Sequence, residues 1–173
     1  ENWLPCKQFN FNTSWGVFHR VSLLLRPSSP FLEAKMPIFS EHALGLFNQG
    51  YKTIPLVQGE KFPAIKGWTK TNPTDELLDE WCSMYPMNNI GLLCGQISGV
   101  VCIDVDVDDE SIVERLEKYL PDTPLVKRGL KGYTAIYKYN GEKAEKLRLP
   151  GESKPFVEIL SDGNQTVLPP SIH

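Results

Sequence analysis

The run Val100–Asp109, VVCIDVDVDD, limits the possible folds of this chain more than any other stretch. Its apolar residues recur at every second position, which predicts a β-strand with one buried face. The same period places Asp104 and Asp106 together on the other face, with their Cα atoms roughly 6.5–7 Å apart. Because a buried, unpaired carboxylate is costly, these acids need solvent, a cation or hydrogen-bond donors. The run therefore indicates a solvated strand end, a calcium loop or a catalytic metal site.

The calcium-loop alternative can be tested against the spacing that an EF-hand requires. A loop starting at Asp104 would place Asp109 where the motif needs glycine and Arg115 where it needs glutamate. A loop starting at Asp106 would place Ser111 at the glycine position. In addition, a strand precedes this run, whereas a helix precedes an EF-hand loop. An EF-hand is therefore disfavoured.

Asp108, Asp109 and Glu110 have a simple structural interpretation, because a helix is predicted to begin there and acids stabilise a helix start. The metal-site candidates are therefore Asp104 and Asp106. Their carboxylates repel each other unless a cation lies between them, and carboxylate oxygens are ligands that Mg²⁺ and Mn²⁺ prefer. Asp-x-Asp on a strand suits nucleotidyl or glycosyl transfer, although the bare pattern is common.

Charge is unevenly distributed along the chain. The 173 residues carry a net charge of -3. The chain is therefore not a protein that binds nucleic acid through an overall positive charge. Residues 104–117 contain seven acids and one base, whereas residues 127–154 contain eight bases and three acids. This segregation fits a site with cations on one side and phosphates on the other, and it also fits two solvated faces of opposite sign.

The four cysteines show no spacing typical of a metal site; they are Cys6, Cys82, Cys94 and Cys102. Cys94 and Cys102 lie in apolar, strand-like runs. These features favour reduced core residues of a cytosolic protein over disulfides. No apolar stretch in the sequence is long enough to span a membrane, so no membrane partner is expected.

Helix and strand patterns follow one another through most of the chain. Helices are predicted in SEHALGLFNQG, with Ser40 as N-cap, in NPTDELLDEWCSMYP and in DDESIVERLEKYLP. Strands are predicted in YKTIPLV, where Pro55 favours a sheet edge, and in NIGLLCG and GVVCIDVDV, which read as a hairpin-like pair. Four further strands are predicted in TPLVKR, YTAIYKY, FVEIL and TVLPPS. The expected fold is an α+β (mixed α/β) sheet domain.

The order of these segments resembles one known family. The stretches KFPAIKGW, TDELLDEW, NIGLLCG, GVVCIDVD, TPLVKRGLKGY and ILSDGNQTVLPPSIH are similar, in that order, to the prim-pol domain. This is the N-terminal domain of bifunctional DNA primase/polymerases in the archaeo-eukaryotic primase superfamily. The resemblance covers about Ala43 to His173, and it implies an RRM-like catalytic sheet with flanking helices and an accompanying α/β unit.

The same resemblance implies an activity and its partners. Such domains make primers and extend DNA from nucleoside triphosphates on a DNA template, using two divalent ions, Mg²⁺ or Mn²⁺. They are usually encoded by plasmids, phages and other mobile elements, and they often precede a helicase domain. The family's metal-binding Asp-x-Asp falls on Asp104 and Asp106, and its third acid falls on Glu158. Period two places Phe156 and Leu160 beside Glu158, which makes it an isolated acid on an apolar face.

One position departs from the family pattern. The family has a histidine that contacts the incoming nucleotide after a GG-like turn, and the matching stretch GLKGYTAIY holds Thr134 there. A threonine can donate a hydrogen bond but carries no charge and is no acid. Nucleotide binding is then expected to rest on nearby bases, which are Lys127, Arg128, Lys131 and Lys138. Plain solubility is the alternative role of these bases.

The two ends of the chain carry further expectations. Ser171 and His173 match the family's PPS-x-H segment and are nucleotide-site candidates, and family members continue into another strand, so a C-terminal truncation is expected. Residues 1–35 lack a clear period and contain no methionine, so we expect them to be upstream or otherwise added sequence. The domain would then span residues 36–173.

Three functions remain open from the sequence. The first is a primase/polymerase catalytic domain, and the second is a module of the same fold that binds nucleotide or DNA but is catalytically impaired. The third is a nucleotide-sugar transferase in which Asp-x-Asp holds Mn²⁺ and a diphosphate. The third reading leaves the matched segments around Lys61, Pro63 and Trp68 unexplained; we interpret those residues as mainly structural.

Overall fold

The structure, a computed structural model, describes residues 36–129 and 131–173. In these ranges the chain forms three α-helices: α1 (Ile38–Asn48), α2 (Asp75–Met84) and α3 (Glu110–Glu117). A 3₁₀ turn covers Trp68–Lys70. The strands are β1 (Thr53–Leu56), β2 (Asn89–Leu93), β3 (Val100–Val105), β4 (Val126–Arg128), β5 (Tyr133–Lys138), β6 (Glu145–Leu147), β7 (Val157–Leu160) and β8 (Gln165–Leu168). The predicted mixed α+β class is confirmed.

A three-stranded antiparallel sheet with the order β1-β2-β8 forms the first unit, and α1 and α2 pack against it. Thr74 caps α2 as the sequence indicates, because its side chain accepts a hydrogen bond from the Leu77 amide at 3.3 Å. Pro55 lies on β1, which is an edge strand as predicted. The side chains of Phe39, Leu78 and Ile90 are fully buried between the helices and this sheet.

A five-stranded antiparallel sheet with the order β4-β5-β3-β7-β6 forms the second unit. The odd-numbered residues of β3 face a core that is completed by Val113 and Leu116 of α3. On the opposite face, Cys102 packs into the core of the first unit. Asp104, two residues further along that face, lies outside both apolar cores and is partly exposed. The first unit therefore covers the start of β3 and leaves its acidic end open.

The hairpin predicted from β2 and β3 is wrong. Gly95 and Val100 form a single bridge, but β2 pairs with β1 and β8 in one sheet while β3 pairs with β5 and β7 in the other. The chain turns away at Gly95, whose φ is +87° and which lies against Asp162. The Asp162 carboxylate accepts a hydrogen bond from the Gln96 amide at 2.8 Å. Both β2 and β3 therefore have a neighbouring strand on each side, and neither is the neighbour of the other.

Three local predictions also need correction. Helix α1 begins at Ile38 rather than after Ser40, because the Pro86 carbonyl accepts from the Phe39 and Ser40 amides and replaces a side-chain cap. Strand β6 was missed, since its three residues are all exposed and carry no apolar alternation. Phe156 packs with the core under α3 and not on the face of Glu158, because it precedes the regular part of β7.

Cys94 and Cys102 are buried free thiols, which confirms the core interpretation for these two residues. Their sulfur atoms lie 3.7 Å apart. The hydrogen bond with Cys94, together with burial, raises the pKa of Cys102 well above its usual value. The predictions for residues 1–35, including Cys6, lie outside the described residues, and the C-terminal truncation stays a prediction. Within the described ranges, no helix combines the length and apolarity needed to cross a bilayer.

We expect Gly95→Ala to destabilise the fold by about 2–3 kcal/mol, because a strained backbone and a close contact both oppose the new methyl group. A Cβ at this position would lie 2.6 Å from the Asp162 backbone nitrogen. Gly99→Ala is the matched control: Gly99 also has a positive φ, +65°, but has open space around it. It should cost only about 1 kcal/mol. Equal losses in urea unfolding would contradict the role given to the Asp162 contact.

Candidate active site

One row of five side chains crosses the five-stranded sheet on the face that carries Asp104. Strand register places each of them directly opposite the next, and each strand supplies one residue. In order across the sheet the row consists of Lys127, Thr134, Asp104, Glu158 and Lys146. Residues opposite each other in antiparallel strands point to the same face, so these groups form a continuous polar stripe.

The centre of the row places two acids side by side. Asp104 and Glu158 are direct cross-strand partners, which brings their Cβ atoms to about 4.5–5.5 Å. Like charges in this position repel, and a cation or hydrogen-bond donors must offset the repulsion. The Thr134 hydroxyl donates to the Asp104 carboxylate from the other side. Thr134 is only 2% exposed, so this hydroxyl is committed to orienting Asp104.

The approach of Thr134 to Asp104 depends on the turn that precedes β5. Gly132 has a φ of +52° and lies against the Val105 carbonyl, where any side chain would overlap that oxygen. The chain therefore enters β5 tightly against the end of β3. Gly132 thus helps to set the register in which Thr134 faces Asp104.

Glu158, the second acid of the row, already has a cationic partner. The Lys146 ammonium lies 2.7 Å from a Glu158 carboxylate oxygen. The Glu158 side chain is 25% exposed and that of Lys146 is 55% exposed, so the pair lies at the rim of the open face. Sequence reasoning missed Lys146 because it missed β6, and a lone lysine in a charged segment gave no other signal.

Asp106 lies just beyond the end of β3 and is exposed. Its amide donates to the Phe156 carbonyl at 3.0 Å, so the pairing with the β7 chain continues past the strand. Asp106 thus lies close to Asp104 along the chain, although the side chain of its partner Phe156 packs into the core under α3. The carboxylates of Asp104, Glu158 and Asp106 gather at this end of the sheet, and their hard oxygen donors fit Mg²⁺ or Mn²⁺. In the part of the chain described, however, no three His, Cys, Asp or Glu side chains are already arranged to hold a metal ion.

Positive charge gathers at the Thr134 side of the row. The Lys127 ammonium donates to the Thr166 hydroxyl and to the Val167 carbonyl, both at 2.7 Å, and so connects β4 to β8 of the other sheet. Burial lowers the pKa of Lys127, and the charge of Asp104 opposes that change. The pKa of His173 is lowered by partial burial and by the positive charges of Lys61 and Lys127. We call these three residues, Lys61, Lys127 and His173, the basic corner.

The C-terminal segment is held in place by the first unit. The Ser171 hydroxyl accepts a hydrogen bond from the Ile90 amide at 2.8 Å. The buried side chain of Asn89 donates to the Ile172 carbonyl at 2.7 Å and accepts from its amide at 3.1 Å. Ser171 thus orients the segment that carries His173. The Gln165 side-chain amide donates a hydrogen bond to the Lys61 carbonyl at 2.7 Å, which positions the loop that carries Lys61.

The other basic side chains proposed for nucleotide binding do not belong to the row. Arg128 is on the opposite face of β4, where its guanidinium lies 5.8 Å from the centre of the Tyr133 ring. Lys131 forms an exposed ion pair with Asp108 at 2.9 Å. Lys138 shares the face of Thr134 but lies at the far end of β5, opposite Val100. The structure therefore groups Lys127 with Thr134 and Asp104, and it places Arg128 and Lys138 away from them. The hydrogen-bonded pairing with Asp108 raises the pKa of Lys131, and the charge of Asp106 contributes to that rise.

Two structural interpretations from the sequence hold. Asp109 caps α3, because its carboxylate accepts from the Ser111 amide at 2.9 Å. Pro63 bridges to Leu56 at the edge of the first sheet, and Trp68 packs against the core of that unit. Lys61 differs from the expectation, since its ammonium belongs to the basic corner and its backbone alone is structural.

Comparison with known proteins was made for the whole chain. The family model Prim-Pol, described as bifunctional DNA primase/polymerase, N-terminal, matches residues 43–173. A search among curated proteins finds no match. The family match covers both sheets, all five residues of the row and the basic corner.

We expect Thr134→Val to lower the free energy of unfolding by about 1–2 kcal/mol, because Asp104 loses a donor that nothing else replaces. The matched control is Thr71→Val, since the Thr71 hydroxyl donates to the Gly67 carbonyl away from the row. That change should cost about 0.5 kcal/mol or less. If urea unfolding gives equal losses for the two variants, the Thr134 hydroxyl does not stabilise Asp104.

A second prediction concerns the basic corner. Positive neighbours disfavour the charged imidazolium, so Lys61→Met should raise the pKa of His173 toward its ordinary value. Lys143→Met removes the same charge from an exposed site that has no such influence and should leave the pKa unchanged. NMR titration of the His173 ring protons measures both. An unchanged pKa in Lys61→Met would show that the corner does not form.

Proposed function

The chain belongs to the bifunctional DNA primase/polymerase N-terminal family, and we propose that it is a catalytic domain that synthesises and extends DNA primers. Its substrates are nucleoside triphosphates and a templated DNA strand, and its setting is replication of a phage, plasmid or other mobile element. The observation that carries this proposal is the cross-strand pair of Asp104 and Glu158, with the exposed Asp106 just beyond the end of β3.

In this proposal the acidic end of β3 is the metal site. Asp104, Asp106 and Glu158 would hold Mg²⁺ or Mn²⁺. Two such ions, when bound, would neutralise the triphosphate and assist attack by the primer 3′-hydroxyl. The protein itself contributes a rigid frame: Thr134 fixes the Asp104 carboxylate, and the β3–β7 ladder fixes the spacing to Glu158.

The basic corner supports a place for the triphosphate. Lys127 uses two of its three N–H donors on Thr166 and Val167, which leaves one for a phosphate oxygen. It lies directly across from Thr134, the position where family members carry the nucleotide-binding histidine. We propose that Lys127, with Lys61, takes over the charge that the missing histidine would provide, and that His173 contributes a hydrogen bond as a neutral imidazole.

A second candidate function has its own support. Thr134 is buried and its hydroxyl donates to Asp104, so neither charge nor a free donor is present at the family's histidine position. A domain lacking that group could bind nucleotide and DNA without efficient transfer. The nucleotide-sugar transferase reading loses its basis, because the family match accounts for the segments that it left unexplained.

We expect primer extension with Mg²⁺ or Mn²⁺ to fall on the order of 10²–10³-fold or more in Asp104→Asn and in Glu158→Gln, because each change removes a charge needed for metal binding. Asp108→Asn is the matched control, since this acid is exposed and pairs with Lys131 outside the row. It should retain activity. Full activity in both row variants would overturn the proposed site.

A parallel measurement separates the two candidate functions. Nucleotide binding is followed by fluorescence anisotropy of a labelled dNTP, with the wild type and with Lys127→Met. Binding without extension in the wild type would favour the impaired module, and Thr134→His should then restore extension. Extension by the wild type, together with weaker binding by Lys127→Met, supports the catalytic domain.

A further inference from the structure

Lys146 occupies an unusual place at the end of the polar row. It lies on the edge strand β6 and is the direct cross-strand partner of Glu158. Its ammonium lies 2.7 Å from a Glu158 oxygen, which is the distance of a charge-assisted hydrogen bond. That oxygen belongs to a carboxylate that the proposed metal site requires. The lysine and a divalent cation therefore need the same lone pairs.

The local structure aims Lys146 at Glu158. The Arg148 side chain donates to the Lys146 carbonyl at 3.4 Å and to the Ser153 carbonyl at 3.1 Å, which ties the connection between β6 and β7 together. Strand register sets this pairing, so the Lys146 side chain starts directly beside Glu158 on the same face of the sheet. An ordinary exposed ion pair has no such constraint.

The charge pattern of the row explains why a lysine is present there. Without a cation, Asp104 and Glu158 repel each other across β3 and β7. Thr134 supports Asp104 with a hydrogen bond, and Lys146 supplies Glu158 with a positive charge. The protein's own groups would thus neutralise the two acids in part when no cation is bound. The same arrangement opposes metal binding, since a bound divalent ion would face a lysine on the same carboxylate.

We propose that Lys146 is a positioning residue that competes with divalent cations for Glu158 and so weakens metal binding in the absence of nucleotide. This inference rests on the proposed function, because it takes Glu158 as a metal ligand. Strand β6 allows the exchange: its three residues are exposed, so the lysine can leave without opening either core.

The test measures Mn²⁺ affinity by titration calorimetry without nucleotide, at low ionic strength. We expect Lys146→Met to bind Mn²⁺ roughly threefold to tenfold more tightly than the wild type, the range that follows from removing a competing charge near a protein surface. Lys146→Arg keeps the charge and should bind like the wild type. Lys143→Met is the control for net charge and should change nothing. The gain in Lys146→Met should shrink as salt screens the lysine.

Circular dichroism and thermal unfolding establish that each variant folds. Glu158→Gln is measured in parallel and should weaken Mn²⁺ binding. Equal affinity of the wild type and Lys146→Met, with weaker binding by Glu158→Gln, overturns the competition while the proposed metal site stands. Binding that is unaffected by Glu158→Gln, or no binding in any variant, overturns the proposed site and this inference together. A purely structural role of Lys146 predicts lower stability without tighter Mn²⁺ binding.

Discussion

The repulsion between Asp104 and Glu158 is the constraint on which the open face of this protein depends. Two neighbouring carboxylates on paired strands are stable only if their surroundings offset the charge, and the fold does so from both sides. Thr134 donates to one acid and Lys146 pairs with the other. The first unit covers only the start of β3, so the acidic end stays accessible. An apolar cover at that end would leave both charges buried and unpaired.

The face that results combines parts from both units. The acids stand on the five-stranded sheet, whereas Lys61 and His173 come from segments held by the three-stranded sheet through Gln165 and Asn89. Lys127 stands on β4 of the five-stranded sheet, and its ammonium hydrogen-bonds to β8 of the three-stranded sheet. This arrangement supplies the proposed nucleotide site with positive charge that does not depend on the position occupied here by Thr134.

Sequence reasoning found the parts of the site that a local pattern encodes. The alternation in β3 placed Asp104 and Asp106 among the candidates, because a strand of period two fixes which residues share a face, whereas Glu158 came from the resemblance to the prim-pol family. It missed Lys146, since β6 is short, exposed and without apolar residues on one side. It also paired β2 with β3, because neighbouring strands joined by a short turn favour a hairpin. Which strands pair is decided by packing across the two sheets, and that information is spread over the whole chain. Lys127 and His173 were candidates from the sequence, but their grouping with Lys61 in the basic corner depends on the packing between the two sheets.

The buried hydrogen bonds of Lys127 to β8 have a consequence for how variants of this protein should be interpreted. The ammonium keeps its direction only while β4 and β8 keep their relative position, which is set by the core between the two sheets. A substitution that lets the sheets shift slightly would redirect this charge without unfolding either sheet. Such a variant would look, in an assay, like a lesion in ligand recognition. Its cause would lie in side chains that no ligand touches.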